Sequence, residues 1–272
     1  MTPPDDGGSD PPVGSADPDP HVVHLLGSMQ KQLARVEQML TPEMTAAKAA
    51  QRRIAPAWQR STQGEHRLPV AIAVAVAIAL QVVLPSSLEI KPGWLFPLLE
   101  GLLLVGLTVA NPRRIDRTSK LLRSASVALI ALISLANAWA TGALIRGLVN
   151  GTAGDSATKL LARGASVYIT NILVFGLWYW EWDRGGPVAR AQGVRTYPDF
   201  LFPQMTQGNL APPDWEPTFL DYLYVSFTNA TAFSPTDTMP LSRWSKMLML
   251  VQASVSLLTV VFVVARAVNI FK

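Results

Sequence analysis

Cysteine is absent from the 272-residue chain, and with it go disulfides, thiolate metal sites and cysteine nucleophiles. Histidine is nearly absent. His21, His24 and His66 all precede the first long apolar run, so imidazole chemistry inside any later apolar segment has no material. Charge is scarce: Asp, Glu, Lys and Arg make up 15% of the residues against 49% hydrophobic ones, with a formal net charge of +4. An excess this small, clustered beside apolar runs, argues against a nucleic-acid partner. No Gly-rich phosphate loop, Ser/His/Asp set or carboxylate pair at useful spacing occurs, so neither an enzyme nor a metal or cofactor site is expected. What remains in excess is apolar mass. A mean hydropathy of +0.25 is more than one soluble core of this size hides, and a membrane protein is the expectation.

Residues 1–20 are rich in Pro, Asp, Gly and Ser and have too little to bury to be expected to fold. They also lack the charged and apolar regions of a cleaved signal peptide. Over 21–60 a helical arm is predicted, in which Leu25, Met29, Leu33, Val36 and Leu40 line one face. Thr41, Pro42 and Glu43 then open a second short helix. The stripe is short for a coiled coil, and a helix lying at a membrane surface fits it as well.

Five runs follow whose length suits a bilayer crossing of roughly 20 helical residues. They are Leu68–Leu88, Pro92–Pro112, Ser124–Ile145, Gly164–Trp180 and Met247–Ala265, and the first three make up the segment 68–147. Trp94, Trp139, Trp178, Trp182 and Trp244 fall near run ends, as interfacial aromatics do. The predicted fold class is all-α, a polytopic transmembrane helix bundle. Lys48, Arg52, Arg53, Arg60 and Arg67 precede the first run, and Arg113, Arg114, Arg117, Lys120 and Arg123 follow the second. Against these ten, the other side carries only Lys91, Arg146, Lys159 and Arg163. Positive charge favours a cytoplasmic N-terminus. Five crossings then put the long loop before the last run inside.

That loop ends in the most informative stretch. Phe219–Thr231 reads as an amphipathic helix of about thirteen residues, too short to cross. The chain then turns through Ser234, Pro235, Thr236 and Asp237 before Pro240 and the last apolar run. This is the layout of a re-entrant loop, whose backbone is tolerated at membrane depth only when buried in protein or facing water.

The stretch resembles the pore module of the potassium-channel superfamily: outer helix, pore helix, filter and inner helix. The family's filter runs Thr-Thr-Val-Gly-Tyr-Gly-Asp with Pro three positions on. Here Thr231, Ala232, Phe233, Ser234, Pro235, Thr236 and Asp237 stand in that order, with Pro240 three later. Tyr224, Ser226 and Phe227 resemble the start of bacterial pore helices, and Val264, Ala265 and Arg266 the end of their inner helices. The resemblance spans roughly 165–271, and the corresponding domain is 160–272. The whole chain also resembles a group of bacterial five-span membrane proteins. These likenesses imply a multi-pass protein of the bacterial inner membrane, a homotetramer around a pore, and monovalent cations as the passing species.

The departures fall at the filter. Ser234 and Thr236 take the glycine positions and Pro235 the tyrosine position. Proline fixes φ near −65° and restricts the residue before it, which argues against the family's row of backbone carbonyls. A wider pore lined by hydroxyls and ringed by Asp237 remains open, as does a fold kept without conduction. The superfamily also puts its pore loop outside, against the charge bias. Ionotropic glutamate receptors resemble the same module inverted.

Other polar residues carry weaker expectations. Glu100 interrupts the second run, where a carboxylate is costly and a default functional suspect. Asn137, Asn171 and Gln252 are its candidate partners in other runs. It serves either a proton or small-solute carrier or an interhelical hydrogen bond. Glu181, Asp183 and Arg184 offer a metal or ligand rim or, more commonly for such a cluster, a local salt bridge before a turn at Gly185 and Gly186. Asp199–Pro203 and Trp215–Pro217 are expected as interfacial anchors. Three functional classes therefore stand: an ion channel of altered selectivity, a non-conducting structural or signalling protein, and a carrier built around Glu100.

Overall fold

A computed structural model describes residues 29, 31, 32, 56–85, 87–115, 119–152, 156–206, 211–231 and 237–270. The chain divides into two units, Met1–Ile54 and Ala55–Lys272. In the first only Met29, Lys31 and Gln32 are described, and they are helical. The rest of the predicted arm and the tail lie outside the described residues. The second unit is mostly helical, as expected. A turn of 3-10 helix at Ala57–Gln59 precedes α1 (Leu68–Val83), α2 (Leu95–Ala110), α3 (Lys120–Val149) and α4 (Ala157–Trp182). After these come α5 (Pro187–Ala191), α6 (Pro203–Thr206), α7 (Phe219–Thr231) and α8 (Arg243–Ile270). Two short strands, β1 (Phe200–Leu201) and β2 (Met239–Pro240), pair antiparallel with Phe200 opposite Pro240.

Among the described residues three helices are long and apolar enough to cross a membrane: α3, α4 continued to Gly185, and α8. They fit a membrane protein. The first two apolar runs form helices of only 16 residues each, about 24 Å at 1.5 Å per residue. Proline sets that limit. Pro85 holds Leu84 extended (ψ 145°) and stops α1. Pro92 precedes α2, and Asn111 before Pro112 leaves the helical region and ends it. The other three runs extend past their uncharged windows, because Lys120, Arg123 and Lys159 sit on exposed faces and do not stop a helix.

The helices alternate in direction. Arg67 N donates to Arg113 O (3.2 Å), which brings the start of α1 beside the end of α2. Ser126 at the start of α3 bonds Glu181 at the end of α4, and Trp244 at the start of α8 stacks edge-on against Trp182. These termini define a first end of the bundle, where Arg60, Arg67, Arg113, Arg114, Lys120 and Arg123 also lie. At the far end Leu144, Leu148, Leu160, Val263 and Ala267 form a separate buried cluster with Leu88. Helix α4 is the centre. It packs against α1, α3, α7 and α8, and nearly every residue from Thr170 to Glu181 is buried.

Close approach at two glycines fixes this packing. Gly164 meets Val263 of α8 so tightly that a Cβ would fall 2.7 Å from its methyl. Gly176 faces Leu223 of α7, whose Cα would stand 3.2 Å from an added Cβ.

Candidate functional site

Helix α7 is inserted between α4 and α8. Thr218 and Asp221 cap its N-terminus: the Asp221 carboxylate accepts from Thr218 N (2.7 Å) and Thr218 Oγ1 (3.0 Å). Such caps contribute about 1 kcal/mol. Glu65 supplies a second acceptor to the helix start, taking the Phe219 N–H at 3.1 Å and the Trp180 indole N–H on its other oxygen. A carboxylate here also meets the positive end of the helix dipole.

Deeper along α7 the seat becomes a chain of buried polar groups. Ser226 Oγ donates to Ile172 O of α4 (2.6 Å), and Gln252 Nε2 of α8 donates to Ser226 O (2.9 Å). Gln252 Oε1 accepts from Tyr179 Oη (2.5 Å) and Asn229 Nδ2 (2.8 Å), and Asn229 also reaches Met249 O at 2.9 Å. Gln252 is wholly buried, and every polar atom of its amide has a partner, as burial demands. One turn further along α8, Asn171 Nδ2 donates to Ser256 Oγ (2.9 Å) and ties α4 to α8.

The chain then returns. Thr231, the last residue of α7, donates through Oγ1 to Thr228 O (3.0 Å). Residues 232–236, with Ala232, Phe233, Ser234, Pro235 and Thr236 among the predicted filter positions, lie outside the described residues. Asp237 is exposed, Thr238 is buried, and Met239 and Pro240 pair with β1 at the first end. Leu241 N donates to Asp199 O (2.8 Å), and α8 starts beside it. The segment thus leaves and rejoins the same end of the bundle.

At its base sits a second buried cluster. Asp183, fully buried, accepts from Asp199 N (2.8 Å), Phe200 N (3.2 Å) and Tyr222 Oη (2.6 Å). The Arg190 guanidinium lies 4.9 Å from the Tyr222 ring centroid and donates to the carbonyls of Trp180 and Asp183. Arg184 donates to the carbonyls of Arg195 and Trp58. The cluster reaches well beyond a local salt bridge: Glu181 accepts from the Ser126 hydroxyl, Asp183 holds two amides of the following loop and the Tyr222 hydroxyl, and Arg184 ties that loop to Trp58. The turn needs glycine, since Gly185 and Gly186 have φ of 86° and 99°, and a Cβ on Gly186 would fall 2.9 Å from Glu181 O. Phe200 and Phe202, expected as interfacial anchors, are instead buried against Tyr222, Trp244 and Trp215. Among the described residues no group of His, Asp or Glu is placed to hold a metal.

Glu100 stands apart from the seat of α7. It is fully buried on α2, and its Oε2 accepts from Gln81 Nε2 of α1 at 3.1 Å. Asn137 is buried on α3, while Asn171 and Gln252 belong to the α4–α8 seam. Among the described residues no hydrogen bond links Glu100 to Asn137, Asn171 or Gln252. The partner that sequence reasoning missed, Gln81, was detectable as a polar residue in the first apolar run.

Glu65 makes the base of α7 sensitive to pH. Desolvation pushes its carboxyl up to about 7 from a usual 4.5, against the pull of Arg190 and the bonds from Trp180 and Phe219. The folded state therefore holds a proton that the unfolded chain has released, so this group's contribution to stability falls as pH rises from about 4.5 to about 7 and is level above. Melting temperatures of wild type and Glu65→Gln, followed in detergent from about pH 5 to about pH 8, should show a smaller decline for the variant. Equal slopes would remove Glu65 from the account.

No family model, curated protein or solved structure matches the chain.

Proposed function

We propose that the chain is a multi-pass protein of the bacterial inner membrane whose last part, α4, α7 and α8, forms one subunit's share of a homotetrameric cation pore. In this reading α1 and α2 join the three long helices as thin spans, giving five crossings, and α7 is the re-entrant element. The observation that carries it is the course of the chain around α7. A helix too short to cross enters between two long ones and is held by Ser226, Asn229 and Gln252, after which the chain returns to the end it left. Helix α7 ends between α4 and α8, where its carbonyl end carries partial negative charge, with Thr231 as its last residue and Asp237 the next described one. Leu220, Tyr224 and Phe227 form an exposed apolar strip on its outer face, and α8 exposes Leu250, Val251, Leu257, Val261 and Val264. Neighbouring subunits would cover such surfaces.

In liposomes the purified protein should pass monovalent cations, and Asp237→Ala should reduce that flux several-fold while leaving the melting temperature unchanged, because Asp237 is exposed. Wild-type liposomes as tight as empty ones would leave a non-conducting scaffold.

The dip opens on the end that carries the basic flanks, so it faces the cytoplasm by the positive-inside rule. The orientation is that of the glutamate-receptor module. The chain has no cysteine, which permits a direct check. Ser61→Cys and Asp237→Cys should both resist a membrane-impermeant maleimide in intact cells and react after permeabilisation. Labelling of either in intact cells would reverse the orientation.

A further inference from the structure

A cavity of about 330 Å³ opens at the first end of the bundle, between α1, α2, α3 and α4 and beneath α5. This size falls within the roughly 300–1,000 Å³ of sites for small organic ligands. Its inner wall is hydrocarbon: Val70, Val74, Leu107, Leu129, Ile130 and Leu177. Its rim is cationic, with Arg67 just before α1 and Lys120 and Arg123 in the first turn of α3. Among the described lining residues Glu181 is the single carboxylate, and its Oε2 is taken by the Ser126 hydroxyl (3.0 Å).

The polar groups of the rim are not satisfied from within. Arg67 is buried, yet its Nε has no hydrogen-bond partner among the described residues, and neither has Asn111 Oδ1 on the same wall. Burial alone pulls the Arg67 pKa below its ordinary value. A desolvated guanidinium without a counter-charge is costly, and an anion at the rim relieves it. A small soluble anion would leave the hydrocarbon wall behind it unfilled. A neutral hydrophobe would leave the buried Arg67 without a counter-charge. The ligand that meets both halves has an anionic head and an apolar tail.

We propose that this cavity binds an anionic phospholipid, its phosphate held by Arg67, Lys120 and Arg123 and one acyl chain lying among Val74, Leu107 and Ile130. The basic end faces the leaflet where basic pockets between spans meet anionic headgroups. The proposal rests on the chain lying in a bilayer, and it is independent of ion passage.

The test uses the full-length protein in mild detergent, titrated with phosphatidylglycerol, phosphatidylcholine or glycerol phosphate while native mass and melting temperature are followed. Phosphatidylglycerol should remain bound as a discrete adduct and raise the melting temperature, whereas the other two should do neither. Arg67→Gln with Arg123→Gln should raise the half-saturating phosphatidylglycerol concentration about tenfold or more. Ala71→Phe, which fills the cavity from α1 and leaves all three rim charges in the sequence, should abolish the adduct and keeps the test decisive if the double variant is unstable without lipid. Equal binding of phosphatidylcholine would overturn the headgroup assignment. A full shift from glycerol phosphate alone would overturn the chain assignment, and wild-type behaviour of Ala71→Phe would overturn the site.

Discussion

Asp183→Ala should leave little folded protein. The substitution strands three donors at once, the amides of Asp199 and Phe200 and the Tyr222 hydroxyl, around a fully buried position. It also removes a negative charge facing the buried Arg190. Breaking a buried, paired charge network costs about 3–5 kcal/mol, a large share of the roughly 5–15 kcal/mol that holds a domain together. Asp183→Asn keeps an acceptor for the two amides and should be milder, and Tyr222→Phe should cost about 1–3 kcal/mol. Size-exclusion profiles and melting temperatures in detergent rank the three. A monodisperse Asp183→Ala protein melting with the wild type would mean that the loop after α4 is not anchored by this carboxylate.

Gly176→Leu should unseat α7. Even the first added carbon meets Leu223 Cα at 3.2 Å and its methyl at 3.3 Å, so the remainder of a leucine has room only if α7 moves outward. That movement pulls Ser226 from Ile172 O and breaks the Gln252 bonds with Ser226 and Asn229. Overpacking alone costs about 1–3 kcal/mol, and each stranded buried polar group adds about as much again. Gly142→Leu is the control, because nothing stands within 4 Å of a Cβ there. A melting temperature for Gly176→Leu equal to that of Gly142→Leu would show that α7 is not held against α4.

Much of this architecture was legible in the sequence, for reasons that particular residues make clear. Helix α7 coincides with the thirteen-residue amphipathic stretch Phe219–Thr231, because its apolar face repeats at the helical period and Pro217 bounds it. Helix ends were less legible. Uncharged windows placed the first two crossings at full length, but prolines decide where backbone hydrogen bonding stops, and both helices fall short. In the other direction, a lysine on an exposed face does not end a helix. The buried networks were least legible. Glu181, Asp183 and Arg184 lie together in sequence, yet the groups they satisfy belong to Asp199, Arg195, Trp58 and Tyr222, and no local pattern foretells those pairings. The same holds for Glu65, which reads as one polar residue before an apolar run and turns out to cap a helix more than 150 positions later.

Gln252 imposes an order of events on synthesis. The segment that becomes α7 leaves the ribosome before the amide that secures it, since Gln252 belongs to the following helix. Until that last helix is made, Asn229 lacks Met249 O and Gln252 Oε1, and Ser226 has only its bond to Ile172 O of α4. Arrival of α8 is therefore the event that completes the seat of α7. A stop codon introduced before Met249 should produce a chain that quality-control proteases clear quickly.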